Sequence, residues 1–310
     1  PNPSIDRTVS VPALEHGEVN RASDSRIDPG GKGINVARAL TTNGTEALAV
    51  LPSGGPEGHL LQALLRRSGT AYTAVPIAGT TRMNIAVIEP DGTTTKLNEP
   101  GPTLTDDEFD ALLATVDDHL DHDLRWIVGC GSLTPGMPEG IYADLVRRGH
   151  VHGIKVAIDS SGAPFTAAVP AGPDLIKPNH EELEELVDRP LRTLADVGEA
   201  ARTLVDGGIE TVIVSLGRHG ALLVNAHAVA HASAHVARPV STVGAGDSLV
   251  AGYLHAVCRG AGPREALATG VAWGAAAVSL PGSRMPGPDD IAAITVTSTD
   301  TPDLTLSLTD

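Results

Sequence analysis

The chain has 310 residues, of which 41% are hydrophobic and only 2% aromatic, so its core must be built from Ala, Val, Leu and Ile. Its formal net charge of −16 argues against nucleic acid or an anionic membrane surface as a partner, because both attract basic faces. Cys130 and Cys258 form no CxxC pair, which favours a reducing cytoplasm over a disulfide framework or a zinc site. His119 and His122 lie among aspartates and are interpreted as an acidic, solvated helix end rather than as a metal site.

Short apolar runs alternate with longer amphipathic runs along most of the chain. The apolar runs predict strands at 46–51, 83–89, 124–130, 154–160, 174–179, 211–217 and 221–225. The amphipathic runs predict helices at 57–67, 105–119, 138–148, 180–187, 193–206, 247–259 and 263–279. This alternation is typical of βαβ units, so we expect an α/β fold whose mostly parallel sheet is covered by helices on both faces. Ligands of such sheets bind at the carboxyl ends of the strands.

The two ends of the chain differ from this pattern. Residues 7–28 and 70–98 contain short strand-like runs with little helix, and we expect them to form a small β lid over the cleft. The Thr-rich tail at 295–310 is expected to be loosely held. No apolar run reaches the length of a membrane span and no signal peptide is visible, and we expect a short leading segment with a strand to precede Pro1.

Two glycines and an aspartate stand where a polar stretch turns into a helix, in STVGAGDSLVAGYL (241–254). The N–H groups at a helix start bind anions, and glycine lets the backbone approach a ligand closely. Asp247 can either cap the helix or take a proton from an attacking hydroxyl. Taken alone, Gly244-Ala245-Gly246-Asp247 favours the cap, so the surrounding motifs must decide.

A second glycine-rich stretch, DPGGKGINVARAL (28–40), also precedes a helix. It fails the nucleotide P-loop pattern because Gly33 follows Lys32, and it fails the dinucleotide pattern at Val36. The remaining functional interpretation is a loop that grips a polyhydroxyl ligand through backbone groups, Lys32 and Asn35. The alternative is a plain turn with a left-handed glycine, which three glycines and a lysine in four residues make the weaker choice.

The stretch IKPNHEEL (176–183) combines a strand end with a helix start. Pro178 keeps Lys177 out of a helix, and Asn179 with Glu182 three residues later makes a capping box. The same two side chains can hold Mg²⁺, directly or through water, with Lys177 against a phosphate. The structural and the functional interpretation can hold together.

A fourth stretch, TTRMN (80–84), starts a lid strand, and its Arg82 is a forked donor suited to a phosphate, with an ordinary surface arginine as the alternative. Taken in order, the four stretches resemble the signatures of the ribokinase-like carbohydrate kinases, the pfkB family, and VSLGRHGAL (214–222) is similar to that family's nucleotide loop. NPSID, HGEVNRA, TTTKLNEPGP, GSLTPGMP and IDSSG are most like the branch that phosphorylates sugar phosphates. The resemblance covers nearly the whole chain.

The resemblance implies one kinase domain over 1–310, folded as the family's three-layer α/β/α sandwich with a β-sheet lid that can pair into a homodimer. It implies ATP-dependent phosphorylation of a ketohexose phosphate, first of all D-fructose 1-phosphate, with tagatose 6-phosphate or fructose 6-phosphate as alternative acceptors and a non-catalytic sugar-phosphate sensor as the remote one. Asp247 is then the general base, and the N–H groups of Gly244, Ala245 and Gly246 form the anion hole. The resemblance also implies that Asp6, Gly31 and Asn35 bind sugar hydroxyls, and that Lys32, Arg82 and Ser132, with Lys96 as a further cation, bind the sugar's phosphate. It implies that ATP is bound by Lys177, Asn179, Ser215, Gly217 and Gly220. Mg²⁺ is then held by Asn179 and Glu182.

Overall fold

The computed structural model describes residues 1–121 and 123–308, so His122 of the discounted histidine pair and residues 309 and 310 of the tail lie outside the described residues. Its strands are, in chain order, β1 (Ser4–Ser10), β2 (Asp24–Gly30), β3 (Leu48–Ser53), β4 (Ala71–Pro76), β5 (Arg82–Ile88), β6 (Thr94–Asn98), β7 (Trp126–Cys130), β8 (Lys155–Asp159), β9 (Leu175–Ile176), β10 (Thr211–Ser215), β11 (Ala221–Asn225), β12 (Val229–Ala234) and β13 (Val296–Thr299). Its α-helices are α1 (Lys32–Thr42), α2 (Gly55–Arg67), α3 (Asp106–Asp117), α4 (Ile141–Val151), α5 (Gly162–Ala168), α6 (His180–Val187), α7 (Leu194–Asp206), α8 (Ala245–Cys258), α9 (Pro263–Val278) and α10 (Pro288–Ala292). Each helix predicted from the amphipathic runs is present.

The main sheet has, over the described part of the chain, the strand order β13-β12-β11-β10-β9-β8-β7. Strands β7 to β10 are parallel because helices return the chain to the same edge between them, whereas β11 to β13 add antiparallel strands. Alternate strand residues enter two core clusters, one with Tyr142 of α4 and the other with Trp273 of α9. The predicted three-layer α/β/α sandwich is therefore confirmed, with a mixed rather than uniform sheet.

Strands β3 and β4 form a parallel pair of their own, which the described hydrogen bonds do not join to the main sheet. Residues of β3 and of β7, Leu51 and Ile127 among them, line the same cavity. The range 70–98 that we expected to form part of the lid is too long, because Ala71–Pro76 pairs with β3. A short apolar run does not reveal its partner strand, and α2 separates these two in sequence.

A four-stranded sheet of order β2-β1-β5-β6 is the small β-sheet expected near the cleft. Strand β1 runs antiparallel to β2 and parallel to β5, which places Asp6 opposite Asn84. The last strand, β6, is exposed along its whole length, whereas Asp6, Arg82 and Asn84 turn toward the cavity described below. This sheet therefore brings side chains of β1 and β5, which are distant in sequence, to one place.

The Thr-rich tail is held rather than loose. Strand β13 pairs with β12 at the edge of the main sheet. The carbonyls of Leu306 and Leu304 accept hydrogen bonds from the N–H groups of Leu194 and Ala195 at 3.0 Å each. These two N–H groups belong to the first turn of α7 and have no acceptor within that helix, so the tail supplies the missing partners. The expectation of a loosely held tail is therefore wrong for the described residues.

No helix in the described ranges is both long enough and apolar enough to cross a membrane.

Candidate active site

Asp247 lies in the first turn of α8 and does not act as its cap. The capping position belongs to Gly244, whose φ of 76° is left-handed, a conformation that glycine adopts without strain. Asp247 is 6% exposed, and its Oδ2 accepts a hydrogen bond from Asn35 Nδ2 at 2.9 Å. Because the first N–H groups of a helix lack intrahelical acceptors, this turn presents main-chain donors beside a carboxylate that a side chain on another helix orients.

The carboxyl of Asp247 is more basic than an ordinary aspartate. Burial, followed by the negative charge of Asp159, raises the pKa of Asp247 to about 6. The Asn35 amide and the ammonium groups of Lys32 and Lys177 oppose part of this effect. The group is therefore ionised at neutral pH and still accepts a proton readily, which is what a general base requires.

Asp159, the last residue of β8, joins two lysines. Its Oδ1 lies 2.9 Å from Lys32 Nζ and 3.4 Å from Lys177 Nζ. Burial alone would raise the pKa of Asp159, but the charges of Lys177 and Lys32 outweigh burial and lower it. In the same way the Asp159 carboxylate outweighs burial and raises the pKa of Lys32. Gly246 packs close to this cluster, because a Cβ there would lie 3.4 Å from Lys177 Nζ.

The start of α1 supplies the hydrogen-bond partner of Asp247. Gly31 is the N-cap with φ 106°, and a Cβ there would lie 3.1 Å from the backbone just before β1. Asn35 follows one turn later. Arg38 Nη1 donates to the carbonyls of Pro29 and Ser283 and lies 3.4 Å from Asn35 Oδ1. The helix therefore directs the amide nitrogen of Asn35 toward the carboxylate.

The inner face of the four-stranded sheet carries a third carboxylate, that of Asp6. Asp6 Oδ1 accepts hydrogen bonds from Ser4 Oγ at 2.7 Å and from Asn84 Nδ2 at 3.1 Å. A Cβ on Gly30 would lie 2.3 Å from the Asp6 carboxyl, so glycine at that position makes the space that Asp6 occupies. Asp6 and Asn84 both line the cavity, where they offer polar groups to a hydroxylated ligand.

Arg82 is tied to the backbone rather than free in the cleft. Its Nη1 donates to the Glu99 carbonyl at 2.9 Å and its Nη2 to the Asn2 carbonyl at 3.0 Å. Asn2 Nδ2 in turn lies 3.3 Å from Ser132 Oγ, which connects the sheet to the loop after β7. Within the described residues the Nε of Arg82 is buried without a partner. Lys96 is exposed on β6 at the rim of the cavity.

The capping box expected at the start of α6 is confirmed. Asn179 Oδ1 accepts from the Glu182 N–H at 2.7 Å, and Glu182 Oε2 accepts from the Asn179 N–H at 2.8 Å. Asn179 also forms an isolated parallel bridge with Ser215, the last residue of β10. These residues therefore lie at the carboxyl ends of adjacent strands, where ligands of α/β sheets bind.

These groups meet in a cavity of about 1870 Å³, which apolar residues of β3 and β7 also line. The predicted site residues that line it are Asp6, Gly31, Lys32, Asn35, Arg82, Lys96, Ser132, Lys177, Asn179, Glu182, Ser215, Gly244, Gly246 and Asp247. Ala245, Gly217 and Gly220 are absent from its described lining. Gly220 has φ 83°, and a Cβ there would lie 2.0 Å from the Ala232 carbonyl oxygen, so the approach of β12 requires glycine there.

Three residues of the site were not singled out from the sequence: Asp159, Asn84 and Asn2. Asp159 carried the clearest signal, because it is an acidic residue at the carboxyl end of a predicted parallel strand. Asn84 stands two residues after Arg82 and so shares its face of β5. Asn2 gave no signal of its own, since its role comes from carbonyls and a hydroxyl far away in the chain.

A buried base beside main-chain donors suits transfer of a phosphoryl group to a hydroxyl, so fold and site together define a small-molecule kinase. The model of the pfkB family carbohydrate kinases matches residues 2–290. The 1-phosphofructokinase of Rhodobacter capsulatus is 36% identical over 299 residues, covering 96% of this chain and 95% of the relative. The chain belongs to the pfkB family and is an ATP-dependent carbohydrate kinase.

Two further relatives come from Escherichia coli. The ATP-dependent 6-phosphofructokinase isozyme 2 of strain K12 is 36% identical over 296 residues, covering 94% of this chain and 95% of the relative. The crystal structure of phosphofructokinase-2 in complex with substrates and products has a TM-score of 0.88 at 34% identity, covering 94% of this chain and 95% of that chain. The likeness therefore extends over sequence and fold alike.

Proposed function

We propose that this protein transfers the γ-phosphoryl group of ATP to the free primary hydroxyl of D-fructose 1-phosphate and forms fructose 1,6-bisphosphate. The observation that carries the proposal is the Asp247–Asn35 pair in the same cavity as Lys32 and Lys177, which puts a base and two cations around one space for ligands. Relatives named 1-phosphofructokinase favour this acceptor. The free thiols and the use of ATP favour a cytoplasmic enzyme.

Asp247 is the general base in this proposal. It removes the proton of the acceptor hydroxyl while that oxygen attacks the γ-phosphorus, and the bond to the β-phosphate oxygen breaks on the opposite side. The N–H groups of Gly244, Ala245 and Gly246 stabilise the negative charge on the phosphoryl oxygens. The raised pKa of Asp247 supports this role, since it brings the carboxylate closer to the operating pH.

Two groups of residues bind the acceptor in this proposal. Asp6, Gly31 and Asn35 hold its hydroxyls, and Lys32, Arg82 and Ser132, with Lys96 as a further cation, hold its phosphate. Each Nη of Arg82 donates one hydrogen to a carbonyl, so the second hydrogen of each Nη and the Nε–H can bind a phosphate. Lys32 contacts one carboxylate oxygen of Asp159, and its ammonium has three N–H groups, so it can bind a phosphate at the same time. Hydrogen bonds from these cations to a phosphate dianion are charge-assisted and therefore strong.

ATP lies on the other side of the base in this proposal, against Lys177, Ser215, Gly217 and Gly220. Among the described residues no group of three or more His, Cys, Asp and Glu side chains forms a metal cage. The oxygen donors of Asn179 and Glu182 nevertheless fit Mg²⁺, which keeps waters and is bound by one or two protein oxygens together with phosphates. The capping box uses Glu182 Oε2, which leaves Oε1 for the ion or its waters. When bound, Mg²⁺ neutralises phosphate charge.

The four-stranded sheet acts, in our proposal, as the lid of a single kinase domain and as the contact surface of a homodimer. Strand β6 is exposed at the edge of that sheet, and Leu97 on it is 59% exposed. An exposed edge with an apolar side chain is a surface on which a second copy can pair.

A panel of acceptors tests the proposed reaction. ADP release is measured with fructose 1-phosphate, fructose 6-phosphate, tagatose 6-phosphate and free fructose at saturating ATP and Mg²⁺. We expect kcat/KM for fructose 1-phosphate to exceed that for each other sugar at least about tenfold, a difference of about 1.4 kcal/mol in transition-state binding. Asp247→Asn, purified in parallel, measures any contaminating kinase.

The second candidate is phosphorylation of fructose 6-phosphate, which the equally similar Escherichia coli isozyme favours. A higher kcat/KM with fructose 6-phosphate would select it and reject fructose 1-phosphate. Equal rates with free fructose would reject a phosphorylated acceptor altogether. Sugar-phosphate binding without any ADP release would instead indicate a sensor.

A further inference from the structure

Asp159 has a buried carboxylate that binds neither substrate in the proposed reaction. Only 1% of the residue is exposed, and it ends β8 at the edge of the sheet where the cavity lies. A carboxylate removed from water must be compensated by nearby charge, because burying it alone is very costly. Its partners therefore show what its charge is used for.

Both of its charged partners belong to the proposed substrate sites. Lys32 comes from the start of α1 on the acceptor side, and Lys177 follows β9 on the ATP side. The two ammonium groups contact the same oxygen, Oδ1, although 145 residues separate them in sequence. One carboxylate thus sets the distance between the two cations.

The second oxygen of the Asp159 carboxylate, Oδ2, is also buried. Within the described residues it has no hydrogen-bond partner. Lys177 is only 4% exposed, so its ammonium depends on the same contact. A carboxylate that was present only to cap a strand or to solvate the cleft would turn one oxygen to backbone N–H groups or to water.

We propose, building on the proposed function, that Asp159 is a positioning residue that holds Lys32 and Lys177 as a pair across the point of phosphoryl transfer. It couples the two substrate sites, because any change in one lysine alters the charge that Asp159 presents to the other. It touches neither substrate and acts through the lysines.

The charge of the Asp159 carboxylate also acts on Asp247, the proposed base. The charged groups that face Asp247 are Asp159 from β8, Lys32 from α1 and Lys177 after β9, and Asn35 adds a hydrogen bond. Removal of the Asp159 charge leaves two cations against Asp247, so its proton is lost at lower pH. A purely structural role for Asp159 would leave that titration where it is.

Asp159→Asn is the first test. We expect kcat to fall about tenfold or more, KM to rise for both ATP and the sugar phosphate, and the acid limb of the pH profile of kcat/KM to move at least half a pH unit lower. Glu210→Gln is the matched control, because it breaks a lysine–carboxylate pair at the opposite end of β8, where Lys155 begins the strand. A folded variant whose kcat and KM values stay within twofold, or whose acid limb does not move, would overturn the proposal.

Binding of ADP, followed by calorimetry, gives a second test that needs no turnover. Lys32→Met lies on the acceptor side, yet we expect it to weaken ADP binding at least threefold, because Asp159 then pairs with Lys177 alone. In the Asp159→Asn background the same substitution should change ADP binding less than twofold. Unchanged ADP binding in the single variant Lys32→Met rejects the coupling, even if Asp159→Asn does not fold. Failure of the proposed function would show separately, as wild-type protein that binds ADP but phosphorylates no sugar phosphate.

Discussion

Replacement of Asp247 by Asn should damage turnover and stabilise the fold at the same time. The amide has nearly the shape of the carboxylate, but it cannot accept the proton of the attacking hydroxyl. Loss of a general base costs about 10²- to 10⁴-fold in kcat. The same substitution removes a buried negative charge that the fold tolerates only at a cost.

That cost follows from the titration of Asp247. Its pKa rises from 3.8 to about 6 on folding, so the native state binds the proton more tightly than the unfolded chain does. The contribution of Asp247 to the free energy of unfolding therefore falls as pH rises from about 4 to about 6 and stays at its lowest value above that pH. About two pKa units correspond to roughly 3 kcal/mol, or about 5 °C in Tm for a chain of this length.

The assay combines kinetics with unfolding. Tm of wild type and Asp247→Asn is measured without Mg²⁺ at pH 4, 6 and 8, and kcat/KM of the wild type is measured from pH 5 to 8. We expect the Tm difference to grow from pH 4 to 6 and to level off, and wild-type kcat/KM to be half-maximal near pH 6. The exposed Asp206→Asn on α7 is the control and should change neither quantity. A variant with kcat within tenfold of wild type, or with a lower Tm at pH 8, would refute the reasoning.

Two glycines test close contacts, Gly30 on the acceptor side and Gly220 against β12. Gly30→Ala places a Cβ 2.3 Å from the Asp6 carboxyl, so KM for the sugar phosphate should rise at least about tenfold while KM for ATP stays within twofold. Gly33→Ala, whose Cβ would meet nothing closer than 3.9 Å, is the matched control, and equal KM values in both variants would contradict the assignment of Asp6. Gly220→Ala combines φ 83° with a contact of 2.0 Å to a β12 carbonyl and should lower stability by about 2 kcal/mol or more, as measured by urea unfolding. Gly153→Ala has φ 71° in open space and isolates the backbone strain, so an equal loss in both variants would show that the contact with β12 does not matter.

Features with local causes could be predicted from the sequence. The capping box of Asn179 and Glu182 and the helices that follow both glycine-rich turns depend on residues a few positions apart. The predicted α/β class rests on the same kind of signal, repeated along the chain. These local signals also brought Asp247 and the glycine turn before it to attention.

Features that depend on distant partners could not be predicted. The pairing of β4 with β3 is a choice among several strands of similar composition. The contacts of Lys32 and Lys177 with Asp159 join three segments that only the folded sheet brings together. Arg82 was expected to face a phosphate, and the carbonyls that occupy its two Nη groups come from two loops with no distinctive sequence.

The docked tail has a consequence for damaged copies of this enzyme. Loss of residues 296–310 would uncover the N–H groups at the start of α7 and the side of β12 that β13 covers in a single event. An uncovered strand edge recruits further strands from other molecules. A late nonsense mutation or a proteolytic nick near Val296 would therefore be expressed as insoluble protein before any loss of chemistry could be measured, although every side chain of the cleft remained intact.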